Sequence, residues 1–186
     1  LAGPGRIAVE GNGATTEVRA KQAIVATGSE PRPLPGYDVD GRYVITNNEA
    51  LDLESIPKSM VIVGGGAVGV EFASIYSSFG TKVTLLEVLP HLVPIEDEDV
   101  SKELRRTLKK QGIDVHTGAR LESATVKKGA LEVLFRTGKG EEKRVKAEKL
   151  LMATGRAPNT SGLGLEKLGV VTDDKGYVKV NEYMQT

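Results

Sequence analysis

The 186-residue chain contains no cysteine. That excludes a disulfide, a thiolate nucleophile and a cysteine-ligated metal within it. An excess of charge is missing too, since 25 Lys and Arg balance 25 Asp and Glu. Neither nucleic acid nor an anionic membrane is therefore expected as a partner. No apolar run approaches the roughly 20 residues a bilayer-spanning helix needs, and no signal-peptide pattern opens the chain. A soluble, cytoplasmic protein is expected. Only two histidines are present. Neither His91 nor His116 has a nucleophile or metal-ligand pattern around it, so both read as structural. The opening at Leu1 and the close at Met184-Gln185-Thr186 read as those of a fragment.

What is present is organised around residues 57–87. Met60-Val61-Ile62-Val63 is a short apolar, largely β-branched run. Gly64-Gly65-Gly66-Ala67-Val68-Gly69 follows, then apolar residues at helical spacing through Phe79-Gly80, then Lys82-Val83-Thr84-Leu85-Leu86-Glu87. Strand, tight turn, helix, strand and terminal carboxylate together make the dinucleotide-binding fingerprint in its full context. Gly64 permits the turn, Gly66 leaves room for a pyrophosphate, and Gly69 lets helix and strand lie close. The N–H groups opening the helix have no partner inside it and favour an anion there. Glu87, eighteen residues after Gly69, is placed to accept hydrogen bonds from the adenine ribose. Its charge opposes a 2′-phosphate, and residues 88–92 supply no arginine, so the cofactor expected is NAD rather than NADP.

Elsewhere the chain alternates between strand and turn patterns. Arg6–Val9 and Thr16–Ala20 read as strands around Gly11-Asn12-Gly13, and Lys21–Ser29 as a buried strand. Pro31, Pro33 and Pro35 mark an extended linker and a domain boundary. Thr46-Asn47-Asn48-Glu49 is a capping box opening a short helix through Leu53. Glu96–Asp99 starts a helix with Val100, Leu104 and Leu108 on one face, ended by Gly112; its basic residues read as a solvated face. Ile113–His116 reads as a third parallel strand, and residues 121–126, 130–136 and 143–147 as an antiparallel meander. Lys149–Gly155 returns as a buried strand. Tyr177–Val180 resembles a strand whose sheet partners are missing, and Leu163, Leu165, Leu168 and Val170 are available to cover apolar surface.

Ala26-Thr27-Gly28 and Ala153-Thr154-Gly155 repeat one turn on both flanks of the nucleotide unit, and the second continues as Arg156-Ala157-Pro158-Asn159. With these pairs, Ala50-Leu51-Asp52-Leu53 and Lys109-Lys110-Gln111-Gly112, nearly the whole chain resembles the flavin-dependent pyridine nucleotide–disulfide oxidoreductases. Within them it is most similar to the members that oxidise dihydrolipoamide. The resemblance implies an α/β fold: a Rossmann-like NAD-binding domain, with a parallel sheet, helices and an antiparallel β-meander, flanked by partial segments of an FAD domain. Residues 1–35 would be the tail of the first FAD segment, 36–155 the NAD domain, and 156–186 the start of the return.

The resemblance also implies site roles. Gly64, Gly66 and Gly69 would cradle the NAD pyrophosphate, with Gly65, Ala67, Val68 and Val70 also among the NAD-binding residues. Glu87 would hold the ribose, Leu121 would pack on the adenine, and Gly155 would lie near the nicotinamide. Glu71 matches the family acid near the nicotinamide. Gly5, Thr27, Gly28 and Ser29 match FAD contacts. The parent implied is a homodimer that takes electrons from lipoyl domains of a 2-oxoacid dehydrogenase complex, through a cysteine pair and FAD, to NAD. The chain departs from the family in carrying no N-terminal FAD fingerprint, no cysteine pair and no His–Glu acid–base pair. No catalytic residue and no metal site is expected in it. Transhydrogenase, mercuric and glutathione-type reductases of the same family, and a non-catalytic nucleotide-binding module, stay open as alternatives.

Overall fold

The computed structural model describes residues 1–127 and 129–186. They form two compact units, one of Leu1–Glu30 with Arg156–Thr186, the other of Pro31–Gly155. In the smaller unit Arg6–Gly11 (β1) pairs antiparallel with Ala14–Arg19 (β2), with Gly11 opposite Ala14. Asn12 and Gly13, both at positive φ, make the two-residue turn whose twist matches a hairpin. Ser29–Pro31 (β3) follows. Lys21–Gly28 is not the buried strand expected. It pairs with no strand among the described residues, and Ile24 is 93% exposed. An apolar run becomes a buried strand only where a neighbour completes its ladder and a second layer covers it.

The larger unit holds a five-stranded parallel sheet. Its strands are Val44–Ile45 (β4), Ser59–Val63 (β5), Lys82–Glu87 (β6), Asp114–Thr117 (β7) and Lys149–Met152, in the spatial order β4, Lys149–Met152, β5, β6, β7. Asn47–Leu51 (α1) opens on the expected capping box at Thr46 and stops two residues short of Leu53. Ala67–Ser78 (α2) and Glu98–Lys110 (α3) are the two longer helices. Arg120–Lys127 (β8), Ala130–Arg136 (β9) and Glu142–Ala147 (β10) form the meander, and Lys149–Met152 is β11.

Strand pleating explains why the sheet's sequence runs read as unbroken apolar stretches. Successive side chains point to opposite faces, and both faces are covered. Met60, Ile62, Leu85 and Leu151 join Val70, Phe72, Ala73, Tyr76 and Leu108 in one core cluster on the helix side. Val61, Val63, Leu86, Leu150 and Met152 join Leu121, Leu131, Val133 and Phe135 in a second, under the meander. A parallel sheet buried on both faces leaves no polar alternation to see. The fold is thus α/β in three layers: helices, parallel sheet, antiparallel meander.

Two further expectations are corrected here. Val100 is 51% exposed and Ser101 is buried in its place. At 100° per residue the inward face of α3 runs through 101, 104 and 108, and 100 falls off its edge. The proline-rich stretch is packed onto the larger unit rather than a free linker: Arg32 N–H donates to Gly155 O at 2.9 Å, Thr154 Oγ1 donates to Arg32 O at 2.6 Å, and Leu34 lies against the second cluster. In the smaller unit the chain returns as Arg156–Pro158 (β12) and a single 3₁₀ turn at Glu166–Leu168 that buries Leu165. Tyr177–Val180 forms only an isolated bridge, Thr172 with Val178, and Tyr177 and Val180 are exposed.

Candidate nucleotide-binding site

The glycine turn sits where β5 ends and α2 begins, and each glycine there has a different reason. At Gly64, φ is +110, and a Cβ would stand 2.2 Å from Ala153 O. At Gly69 a Cβ would stand 1.8 Å from Gly64 O. Both positions exclude a side chain because the neighbouring backbone already occupies its space. Gly66 is different: its φ of −74 is ordinary, and nothing lies within 4 Å of where a Cβ would stand. No packing demand of the fold explains a glycine at this position. It borders open space at the N-cap of α2, whose first helical bond is Val70 N–H to Gly66 O at 3.1 Å. The N–H groups of Ala67, Val68 and Gly69 precede that bond and face the end where the helix dipole is positive.

Glu87 closes the site from the next strand. The residue is 6% exposed, and its carboxylate is held by two backbone donors. Gly65 N–H donates to Oε2 at 2.5 Å and Leu89 N–H to Oε1 at 2.7 Å. Its own carbonyl accepts from Ala119 N–H at 2.8 Å. Charge-assisted bonds to backbone N–H are among the stronger hydrogen bonds a carboxylate makes. Strand end and glycine turn are therefore tied through one side chain. Of the carboxylate's about four lone-pair positions, these two donors leave room for further hydroxyl donors.

The remaining candidates are scattered. Glu71 is exposed on α2. Leu121, assigned to the adenine by resemblance, is buried in the second core cluster, and its carbonyl accepts from Tyr37 hydroxyl at 3.4 Å. Burial pushes the Tyr37 phenol up, with Glu122 adding to the shift. Gly155, at φ +121, has open space where a Cβ would stand. In the smaller unit, Thr27 Oγ1 donates to Asn159 O at 2.6 Å, Asn159 N–H to Gly28 O at 3.0 Å, and Arg156 Nε to Ser29 Oγ at 2.7 Å. The first Thr-Gly turn is thus bound to residues 156–159, which sequence reading treats as separate motifs. Gly5 needs no ligand to explain it, because a Cβ would stand 2.9 Å from Ala20 O. No group of three or more metal-ligating side chains is assembled among the described residues, and no helix among them is long and apolar enough to cross a membrane.

Sequence reasoning gave Leu92 and Val93 no part in the site. Leu92 is fully buried, with Cδ2 2.6 Å from where a Gly65 Cβ would stand, and Val93 N–H donates to Gly65 O at 2.8 Å. Nothing in their local pattern marks this, because the contact spans a turn whose path no periodicity reports.

The family model described as pyridine nucleotide-disulphide oxidoreductase matches residues 2–186. Dihydrolipoyl dehydrogenase of Bacillus subtilis is 45% identical over 186 residues, which cover 98% of this chain and 39% of that protein. That of Chlorobaculum tepidum is 39% identical over 184 residues, 99% and 39%. Among solved structures, LpdA of Mycobacterium tuberculosis superposes with a TM-score of 0.82 at 33% identity, over 97% of this chain and 40% of its own. The Cu(II) complex of HOCl-induced flavoprotein disulfide reductase RclA from Escherichia coli gives 0.83 at 27% identity, with coverage of 97% and 40%. The chain spans about two fifths of the length of these relatives. A glycine turn of this kind recurs in unrelated folds. The match, however, runs through both units rather than over the turn alone, and the chain belongs to the pyridine nucleotide-disulphide oxidoreductase family.

Proposed function

We propose that this chain is the NAD(H)-binding portion of a flavin-dependent dihydrolipoyl dehydrogenase. The observation that carries the reading is Gly66, a glycine at ordinary φ beside open space, at the N-terminus of a twelve-residue helix. A ligand that must approach the backbone there accounts for it, and a pyrophosphate has the charge the helix end favours. Gly64 and Gly69 shape the turn, Ala67, Val68 and Gly69 present N–H groups to the anion, and Glu87, pre-set by Gly65 and Leu89, accepts from the ribose hydroxyls and opposes a 2′-phosphate. Leu121 and Gly155 belong to the adenine and nicotinamide ends, and Glu71 to the latter. Gly28, at φ +76 with open space where a Cβ would stand, fits a close approach of FAD, with Gly5, Thr27 and Ser29 beside it.

The bound nicotinamide and flavin would supply the redox chemistry, which no side chain of this chain can perform. The chain binds and orients. Residues 1–30 and 156–186 belong to the FAD domain on this reading, and 31–155 to the NAD domain, the boundary falling at Pro31 rather than after residue 35. On this reading the parent is a cytoplasmic homodimer serving lipoyl domains of a 2-oxoacid dehydrogenase complex; the relatives' names support its being a dihydrolipoyl dehydrogenase. The likeness to RclA favours a second reading, a family reductase acting on another disulfide.

The test is a fluorescence titration with NADH and NADPH at identical salt. NADH should bind at least about tenfold, or 1.4 kcal/mol, more tightly, with the preference lost in Glu87→Gln. Equal affinities in the unaltered protein would sink the NAD assignment.

A further inference from the structure

The loop after β6 leaves the sheet at Glu87 and comes back to the glycine turn. Its return is made at Leu92 and Val93. Val93 has a φ of +41, a region that a β-branched residue rarely occupies, and it precedes Pro94, which also disfavours helical backbone at the residue before it. A conformation so unfavourable locally persists only where its surroundings over-determine it. Here its N–H donates to Gly65 O at 2.8 Å, its carbonyl accepts from Glu96 N–H at 2.9 Å, and its side chain lies against the helix-side cluster. Relaxing Val93 to extended backbone would redirect the chain at Leu92 and withdraw that side chain from Gly65.

Gly65 is thus gripped from two sides. Its N–H is held by Glu87, and its carbonyl by Val93. Leu92 fills the space beside it, and a Cβ at Gly65 would stand 2.6 Å from Leu92 Cδ2 and 2.9 Å from Glu87 Cβ. Leu92 therefore backs the same peptide that fixes the Glu87 carboxylate.

Resting on the NAD reading above, we infer that Leu92, held in place by the left-handed backbone of Val93, is a positioning residue that sets cofactor discrimination by keeping the Glu87 carboxylate fixed against Gly65. A carboxylate held in one place keeps its charge close to where a 2′-phosphate would stand and accepts from ribose hydroxyls without first being ordered. A carboxylate free to turn away does neither well. Discrimination is a difference of two affinities, so loosening Glu87 weakens NADH while relieving the penalty on NADPH.

The experiment titrates the full-length natural protein, unaltered and as Leu92→Ala, Leu92→Val and Leu92→Met, with NADH and with NADPH, and melts each without nucleotide. In Leu92→Ala the ratio of the NADPH and NADH dissociation constants should fall by about fivefold or more. Leu92→Val, which lacks the δ-carbons that reach Gly65, should fall part of the way, and Leu92→Met, of similar volume, should keep the ratio. A folded Leu92→Ala or Leu92→Val with an unchanged ratio overturns the inference, as does a loss of both affinities by the same factor, the signature of a merely structural role. If Leu92→Ala does not fold, Leu92→Val decides. Equal affinities in the unaltered protein would overturn the NAD reading first, before any variant is made.

Discussion

Replacing Gly66 with alanine separates a ligand's demand from the fold's demand at one position. The backbone there, φ −74 and ψ −174, is open to alanine, and no atom lies within 4 Å of the new Cβ. Alanine is a poorer N-cap than glycine by a few tenths to about 1 kcal/mol. It also restricts the unfolded chain by about 0.4–1 kcal/mol in the opposite sense. The two terms nearly cancel, so the melting temperature should move by no more than about 3 °C. Binding is a different matter. A methyl group in the path of the pyrophosphate prevents at least one backbone N–H from reaching it, and a hydrogen bond to a charged group is worth about 1.5–3 kcal/mol. The dissociation constant for NADH should rise by about 10- to 150-fold. Fluorescence titration with NADH, beside a thermal melt of the same sample, checks both halves. A folded Gly66→Ala that binds NADH as the unaltered protein does would refute the reasoning, and with it the pyrophosphate's place at this turn.

Gly69→Ala should behave oppositely: its Cβ would stand 1.8 Å from Gly64 O, and forcing it in should cost more than about 3 kcal/mol, read as a melting temperature lower by about 6–12 °C or more. Tyr76 is buried and its hydroxyl donates to Ala50 O at 2.5 Å, and burial also pushes its phenol up. Tyr76→Phe should leave that carbonyl without its donor and destabilise by about 1–3 kcal/mol in a denaturant melt; no change would show that water takes the donor's place. At Glu49, hydrogen bonds from the Thr46 hydroxyl and backbone N–H, each 2.7 Å, hold the carboxyl below its ordinary range. A folded-state pKa that is lowered gives stability present above the unfolded value of about 4.3 and lost as pH falls through the folded one. The stability advantage over Glu49→Gln should therefore be full at pH 6 and shrink below about pH 4. An advantage independent of pH would contradict the capping box as its source.

Most of the larger unit was legible because its signals are local. The run Met60–Val63, the glycine cluster, the helical spacing of Val70, Phe72, Ala73 and Tyr76, and the run ending at Glu87 each report one element through its own periodicity, and their order and spacing select the βαβ arrangement. The capping box at Thr46 and Glu49 was legible for the same reason, being satisfied within four residues. Lys21–Gly28 was misread because an apolar run says only that a strand would be suitable. Whether a ladder partner and a covering layer exist is decided by chain far away in sequence.

At the turn itself, the sequence determined that glycines and a carboxylate stand at dinucleotide spacing, since that spacing follows from strand and helix rise alone. Only the tertiary structure decided what each of them is for. Gly64 and Gly69 are pressed by Ala153 O and Gly64 O, Gly66 by nothing in the chain, and Glu87 is held by Gly65 and Leu89 while Leu92 and Val93 back the same peptide. These are contacts through space between segments that no local pattern connects. Residue type states what a position can tolerate, and only the packing around it shows what it must.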